Sequence, residues 1–200
     1  MEPPLSTSGR ETHWRRWRGS RQTEEMLSAA QLHRRGVEAI NAGKVRAARP
    51  LLERGLTRTS DDDLLARIQA SLAYVAAETG DPAGGIALCD AALEREAIGA
   101  ETRGIVQGQR ALLQMRSGDT TGALASFGAA IDFLGARPAE KARAHLNRGG
   151  VFLQQGAGAR AAADFAAAMQ DFERAGLHSE VPKAQHNLGY AAFLQGDLVS

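Results

Sequence analysis

Apolar and small residues return along this chain in a helical rhythm that glycine interrupts at regular intervals. From Glu24 onward the apolar positions, beginning with Leu27, Ala30, Val37 and Ile40, follow helical spacing rather than the alternation of a strand. The runs stop at Gly43, Gly80, Gly118, Gly156 and Gly196, which lie 37 to 40 residues apart. A second helical run follows each of the first four glycines. The pattern predicts paired helices over about 26–42 and 45–56, then from about 64 to a turn at 79–82 and on to about 95. A third pair starts near 101, turns at 117–120 and ends near 134; a fourth turns at 156–158 and ends at 175–176; a fifth first helix spans about 182–194. In Thr79-Gly80-Asp81-Pro82, glycine ends one helix, Asp81 caps the next and Pro82 takes its first position. Breaks this short join helices antiparallel, and each hairpin leaves an apolar face that only another hairpin can cover. The expected fold is therefore all-α, a solenoid of stacked antiparallel helix hairpins.

Small residues recur at fixed distances from the turn glycines. Gly36, Ala73, Ala111, Gly149 and Gly189 lie seven before them; Ala48, Gly85, Ala123 and Ala161 lie five after. These positions are expected to meet where the two helices of a hairpin cross, since larger side chains would push the axes apart. Leu52, Cys89, Phe127 and Phe165 follow one turn later and should fill the gap to neighbouring helices. Pro50 falls inside the second helix of the first pair, which should make that unit the least regular.

Composition narrows the reading. The 200 residues are 44% hydrophobic but only 5% aromatic, which suits close helices packed by small side chains. A net charge of +1 gives no overall case for nucleic acid. The single cysteine excludes an internal disulfide framework and fits a reducing compartment, so a cytoplasmic location is expected. No stretch approaches the roughly 18 consecutive apolar residues of a membrane span. Residues 1–24 differ from the rest, with Trp14 and Trp17 among Arg15, Arg16, Arg18 and Arg21; they read as a disordered basic tail ahead of a repeat domain over 25–200, comprising four full hairpins and a truncated fifth.

Candidate chemistry is sparse. Cys89 occupies a packing position and reads as a buried thiol. His13, His33, His145, His178 and His186 form no short ligand cluster, so no metal or other cofactor is expected. Asp61 to Asp63 lack calcium-loop spacing and read as a helix cap. Gly156-Ala157-Gly158-Ala159-Arg160 lacks the ending of a phosphate-binding loop and reads as a helix–helix turn. No catalytic constellation is visible, and the segment is not expected to be an enzyme.

Aligned on the turn glycines, the units resemble tetratricopeptide repeats, whose usual length is about 34 residues. The likeness is clearest in His186-Asn187-Leu188-Gly189-Tyr190 with Leu194-Gln195-Gly196-Asp197, and in Leu146-Asn147-Arg148-Gly149; it covers about residues 29–200. The chain departs in its longer units, whose extra residues should lengthen the second helix or the following loop. The resemblance implies a right-handed superhelix whose first helices line a concave face for a protein or peptide partner. Carried over by register, that face includes His33, Val37 and Ile40, then Arg67, Ala70 and Tyr74, then Ile105, Gly108, Leu112, Met115 and Arg116. Further along come Arg143 and Leu146, and finally Lys183, His186, Tyr190, Phe193 and Leu194. Tyr74, Leu112, Met115, Tyr190 and Phe193 stand out as apolar anchors, and Arg116, Arg143, Leu146, Lys183 and His186 complete the candidate contact set. A lysine/asparagine clamp for a C-terminal carboxylate is not visible. Asn147 and Asn187 share one register position, where a backbone or inter-repeat hydrogen bond is a competing role. The alanine-rich units with His186 to Leu198 also resemble the repeat region preceding the CHAT peptidase domain of actinobacterial proteins. That likeness implies a sensor or regulatory arm with a tethered C-terminal effector. Similar repeats in bacterial transcriptional regulators imply, as an alternative, a ligand-sensing or oligomerisation module.

Overall fold

The computed structural model describes residues 27–196, so the basic tail lies outside the described residues. The helices there are α1 (Ala29–Asn41), α2 (Val45–Leu56), α3 (Asp62–Glu78), α4 (Pro82–Leu93), α5 (Ala100–Arg116), α6 (Thr120–Phe133), α7 (Pro138–Gln154), α8 (Gly158–Arg174) and α9 (Val181–Leu194). The first eight pair in sequence as four hairpins, with α9 stacked on the fourth.

Local chemistry sets the boundaries. Ser28 and Gln31 form a reciprocal cap at the start of α1: the Ser28 N–H donates to Gln31 Oε1 at 2.8 Å and Ser28 Oγ accepts from the Gln31 N–H at 3.3 Å. Asp61, Asp81 and Asp119 accept from the backbone N–H of Leu64, Gly84 and Gly122 at 2.7, 2.8 and 2.9 Å. Each satisfies an amide that the first helical turn leaves free. Gly80 and Gly118 take φ of +98° and +83° at the helix ends, a conformation that disfavours a Cβ.

The expected irregularity at Pro50 is not found. Helix α2 runs unbroken from Val45 to Leu56 with Pro50 inside it. Pro50 is exposed, and the carbonyl deprived of its helical donor belongs to Arg46, an exposed residue of the first turn that water can reach. The longer fourth unit lengthens its second helix: α8 has 17 residues against 12 in α2 and α4, and carries the fully buried Phe172 into the core.

Small residues set the helix separation. A Cβ added to Gly85 would lie 2.7 Å from the Ala73 carbonyl oxygen, and one on Gly149 would lie 2.7 Å from the Phe165 ring. Gly85→Ala is therefore expected to lower stability by about 1–2 kcal/mol, because a clash with backbone outweighs the ~1 kcal/mol gain in helix propensity. At Gly189 nothing lies within 4 Å of the added Cβ, so Gly189→Ala should stabilise. Urea unfolding of the two variants checks the contrast; equal effects would mean that Gly85 does not set the separation.

Polar bonds join consecutive units across the apolar seams. The Thr102 hydroxyl and the Gly99 N–H donate to the two Asp63 carboxylate oxygens at 2.6 and 2.7 Å, linking α5 to α3. The Thr102 hydrogen bond, more than any other neighbour, holds the Asp63 carboxyl below its usual range. Arg110 bridges α4, α5 and α6, donating to Asp90 at 2.6 Å and to Ser126 Oγ at 2.9 Å.

The packing order gives the stack its shape. Among the described residues each first helix lies against the next first helix, whereas the backbones of the second helices approach only the first helices beside them. The row α1, α3, α5, α7, α9 is thus the tighter one, and the solenoid curves around it.

Candidate protein-binding face

The inner row presents a surface with two adjoining hollows. One, of about 350 Å³, lies among α1, α3 and α5, where His33, Val37, Ile40, Arg67 and Tyr74 face Ile105 and Gln109. The other, of about 150 Å³, lies between α5 and α7, over Gly104, Gly108 and Leu112, with Gln109, Glu140, Arg143 and Asn147 around it. Ile105, Gln109 and Glu140 border both, so the two form one continuous depression.

The candidate residues fare differently. Tyr74 and Leu112 are half-buried and line the hollows. Met115 packs on the core of the third hairpin, and Arg116 is exposed and paired with Glu78 at 2.6 Å. Arg143 is exposed at the rim. Leu146 is enclosed at 7% exposure among Ala142, Phe165 and Ala184, where it fills the seam towards α9 and offers little surface. Lys183, His186, Tyr190 and Phe193 are all exposed on α9. Tyr190, Phe193 and Leu194 are 50, 59 and 53% exposed, the chief apolar surface outside the hollows.

Several residues escaped the register reading. Gln109, Arg137 and Glu140 all border the depression. Arg137 bonds Glu101 at 3.1 Å and lies 3.7 Å from Glu140. Gln109 occupies the register position of Asn147 and Asn187, so the equivalence was available from the sequence. The Asn147 side chain makes no hydrogen bond among the described residues, so the competing backbone or inter-repeat bond is not formed there.

The electrostatics follow from burial. His33 shares a 3.1 Å hydrogen bond with Ser71; burial and, after it, the neighbouring Arg67 charge push its pKa below the ordinary histidine value. Behind the face, Asp164 on α8 accepts from Arg148 Nε and Nη2 at 2.8 and 2.7 Å and from His145 Nδ1 at 2.9 Å. Burial pushes the Asp164 carboxyl up, but these bonds outweigh it and hold the group below the usual carboxylate range. Burial raises the Cys89 thiol to about 12, so it stays protonated and serves as a small core residue. No group of three or more His, Cys, Asp or Glu is placed to hold a metal among the described residues, and no helix there is long and apolar enough to cross a membrane.

Stacked hairpins with a lined inner surface define a helical-repeat binding scaffold. A tetratricopeptide repeat profile matches residues 33–101 and 109–176, more than half of the chain. The chain belongs to the tetratricopeptide repeat family. Among solved structures, BtubC (BKLC) from P. vanneervenii is similar with a TM-score of 0.72 at 17% identity, over 94% of this chain and 80% of that one. The apo form of RapI gives 0.68 at 16% identity over 94% of this chain, which spans 55% of RapI. A tetratricopeptide repeat protein from Parabacteroides merdae gives 0.51 at 15% identity, over 84% of this chain and 74% of that one. At these identities the likeness concerns the fold. No curated protein sequence matches the chain.

Proposed function

We propose that this chain is a protein-interaction scaffold that receives a protein or peptide partner on its inner face. The observation that carries this reading is the continuous depression along α1, α3, α5 and α7, lined by positions of the tetratricopeptide concave set. Tyr74 and Leu112 supply apolar contact within it, and Met115, Arg116 and Arg143 extend it; Lys183, His186, Tyr190 and Phe193 continue it along α9. Leu146 contributes by shaping the seam.

Within that role we read the chain as the regulatory arm of a larger protein with a tethered effector domain, of which a CHAT peptidase is the form that the sequence resemblance favours. The exposed Tyr190, Phe193 and Leu194 support an arm that engages a neighbouring domain, since contiguous apolar surface of this kind marks contact sites.

Footprinting by hydroxyl radicals in the presence of a captured partner tests the scaffold reading. Protection is expected on the inner-row residues Tyr74, Leu112, Met115, Tyr190 and Phe193. Protection confined to α2, α4, α6 and α8 would overturn it.

A further inference from the structure

The hollow between α5 and α7 exists because one register position changes its residue from unit to unit. In the fourth unit Leu146 occupies that position and fills the seam towards α9. In the third unit the same position is Gly108, and the seam stays open. A Cβ added at Gly108 would have only the Ala130 Cβ nearby, at 3.9 Å, so close packing does not require the glycine. An apolar space of about 150 Å³ is large enough for a benzene-sized group.

The polar border of the hollow is unsatisfied. Gln109 Nε2 is buried without a hydrogen-bond partner. Such a donor is costly to bury unmet, and an arriving carbonyl would satisfy it. Besides Arg137, which bonds Glu101, two arginines flank the depression, Arg67 on one side and Arg143 on the other. Neither is in ion-pair contact with a carboxylate among the described residues; Glu140, the one acidic side chain on the lining, faces Arg137 at 3.7 Å. Arg67 lies within electrostatic reach of Asp63, so the border carries a surplus of positive charge of which Arg143 is the unpaired part.

We propose that the α5–α7 hollow is an anchor pocket for one bulky apolar side chain of an acidic peptide segment in the partner protein. Arg67 and Arg143 pair with the segment's carboxylates, and Gln109 Nε2 donates to its backbone carbonyl. The proposal rests on the concave-face reading above and narrows it to a ligand chemistry.

The test is selection from a display library of random dodecapeptides against the full chain, followed by affinity measurement with the enriched synthetic peptides. Enriched sequences are expected to place Asp or Glu on both sides of a single Phe, Leu or Met. Gly108→Leu, which copies the solution the protein already uses at Leu146, is expected to weaken binding at least tenfold. Gly108→Ala should weaken it less. Arg143→Glu, at an exposed and unpaired position, should weaken it about tenfold, and affinity should fall with added salt. Peptides lacking acidic residues, or binding unchanged in both Gly108→Leu and Arg143→Glu, would overturn the pocket. If those same peptides lost affinity on Tyr190→Ala or Phe193→Ala, the scaffold reading would stand without the pocket. Failure to enrich any peptide, or binding indifferent to every inner-face substitution, would overturn both.

Discussion

Replacing Phe165 with alanine is expected to destabilise the fold by about 3–5 kcal/mol, against the 5–15 kcal/mol that typically separates folded from unfolded domains. Phe165 is fully buried in the fourth hairpin, with its ring against the bare backbone of Gly149. Glycine has no side chain to swing into the space, so the cavity cannot close cheaply. In a stack held by neighbours, the loss should loosen α7, α8 and α9 before the first two hairpins. Urea unfolding followed by circular dichroism gives the magnitude, and hydrogen exchange resolved by helix gives the location. A loss under about 1 kcal/mol would show that Phe165 is not the keystone of that hairpin.

Removing the Asp164 carboxylate should come next in size. Asp164 is 4% exposed and receives three hydrogen bonds from Arg148 and His145. Breaking a buried pair on one side costs about 3–5 kcal/mol. The Arg148 side chain, 24% exposed, regains some water, so Asp164→Ala should fall near ~3 kcal/mol. Asp164→Asn keeps the shape, loses the charge and isolates the electrostatic part. The carboxyl titrates lower in the folded chain than in the unfolded one. Its contribution is therefore complete above the ordinary aspartate value of about 3.9 and is lost as pH falls through the folded-state value. The stability gap between wild type and Asp164→Asn should close as pH falls below about 4. A gap that persists or widens below about 4 would contradict this sign.

The two residues also mark what could be read from the chain beforehand. Phe165 follows its turn glycine at the same distance as Leu52, Cys89 and Phe127, and helix crossing demands a filler there, so its role was legible. So were the hairpin turns, the Asp81 cap and the burial of Cys89, because each depends on local spacing. The Asp164 bonds depend instead on which way α8 is rotated against α7, and no local pattern states that. Asp63 binding Thr102 across 39 residues was hidden for the same reason; the acidic run showed only its capping role. On the inner face, register placed Tyr74, Leu112 and Arg143 beside the depression. It also placed Leu146 there, whereas the side chain is spent on the seam towards α9. Gln109 shares the register position of Asn147 and was legible in the same way, whereas Glu140 borders the depression only because α7 lies beside α5.

Among the described helices no second helix comes near another; each is tied instead to the first helix of the next hairpin. Mechanically, every outer rod is anchored to the strip through the inner row. A change in the angle between two hairpins has to shift the inner contacts and the hold of a second helix on the next first helix together. The width of the depression between α5 and α7 varies with that angle. A partner wedged between α5 and α7 would act on that one joint, and through it on the distance between α1 and α9.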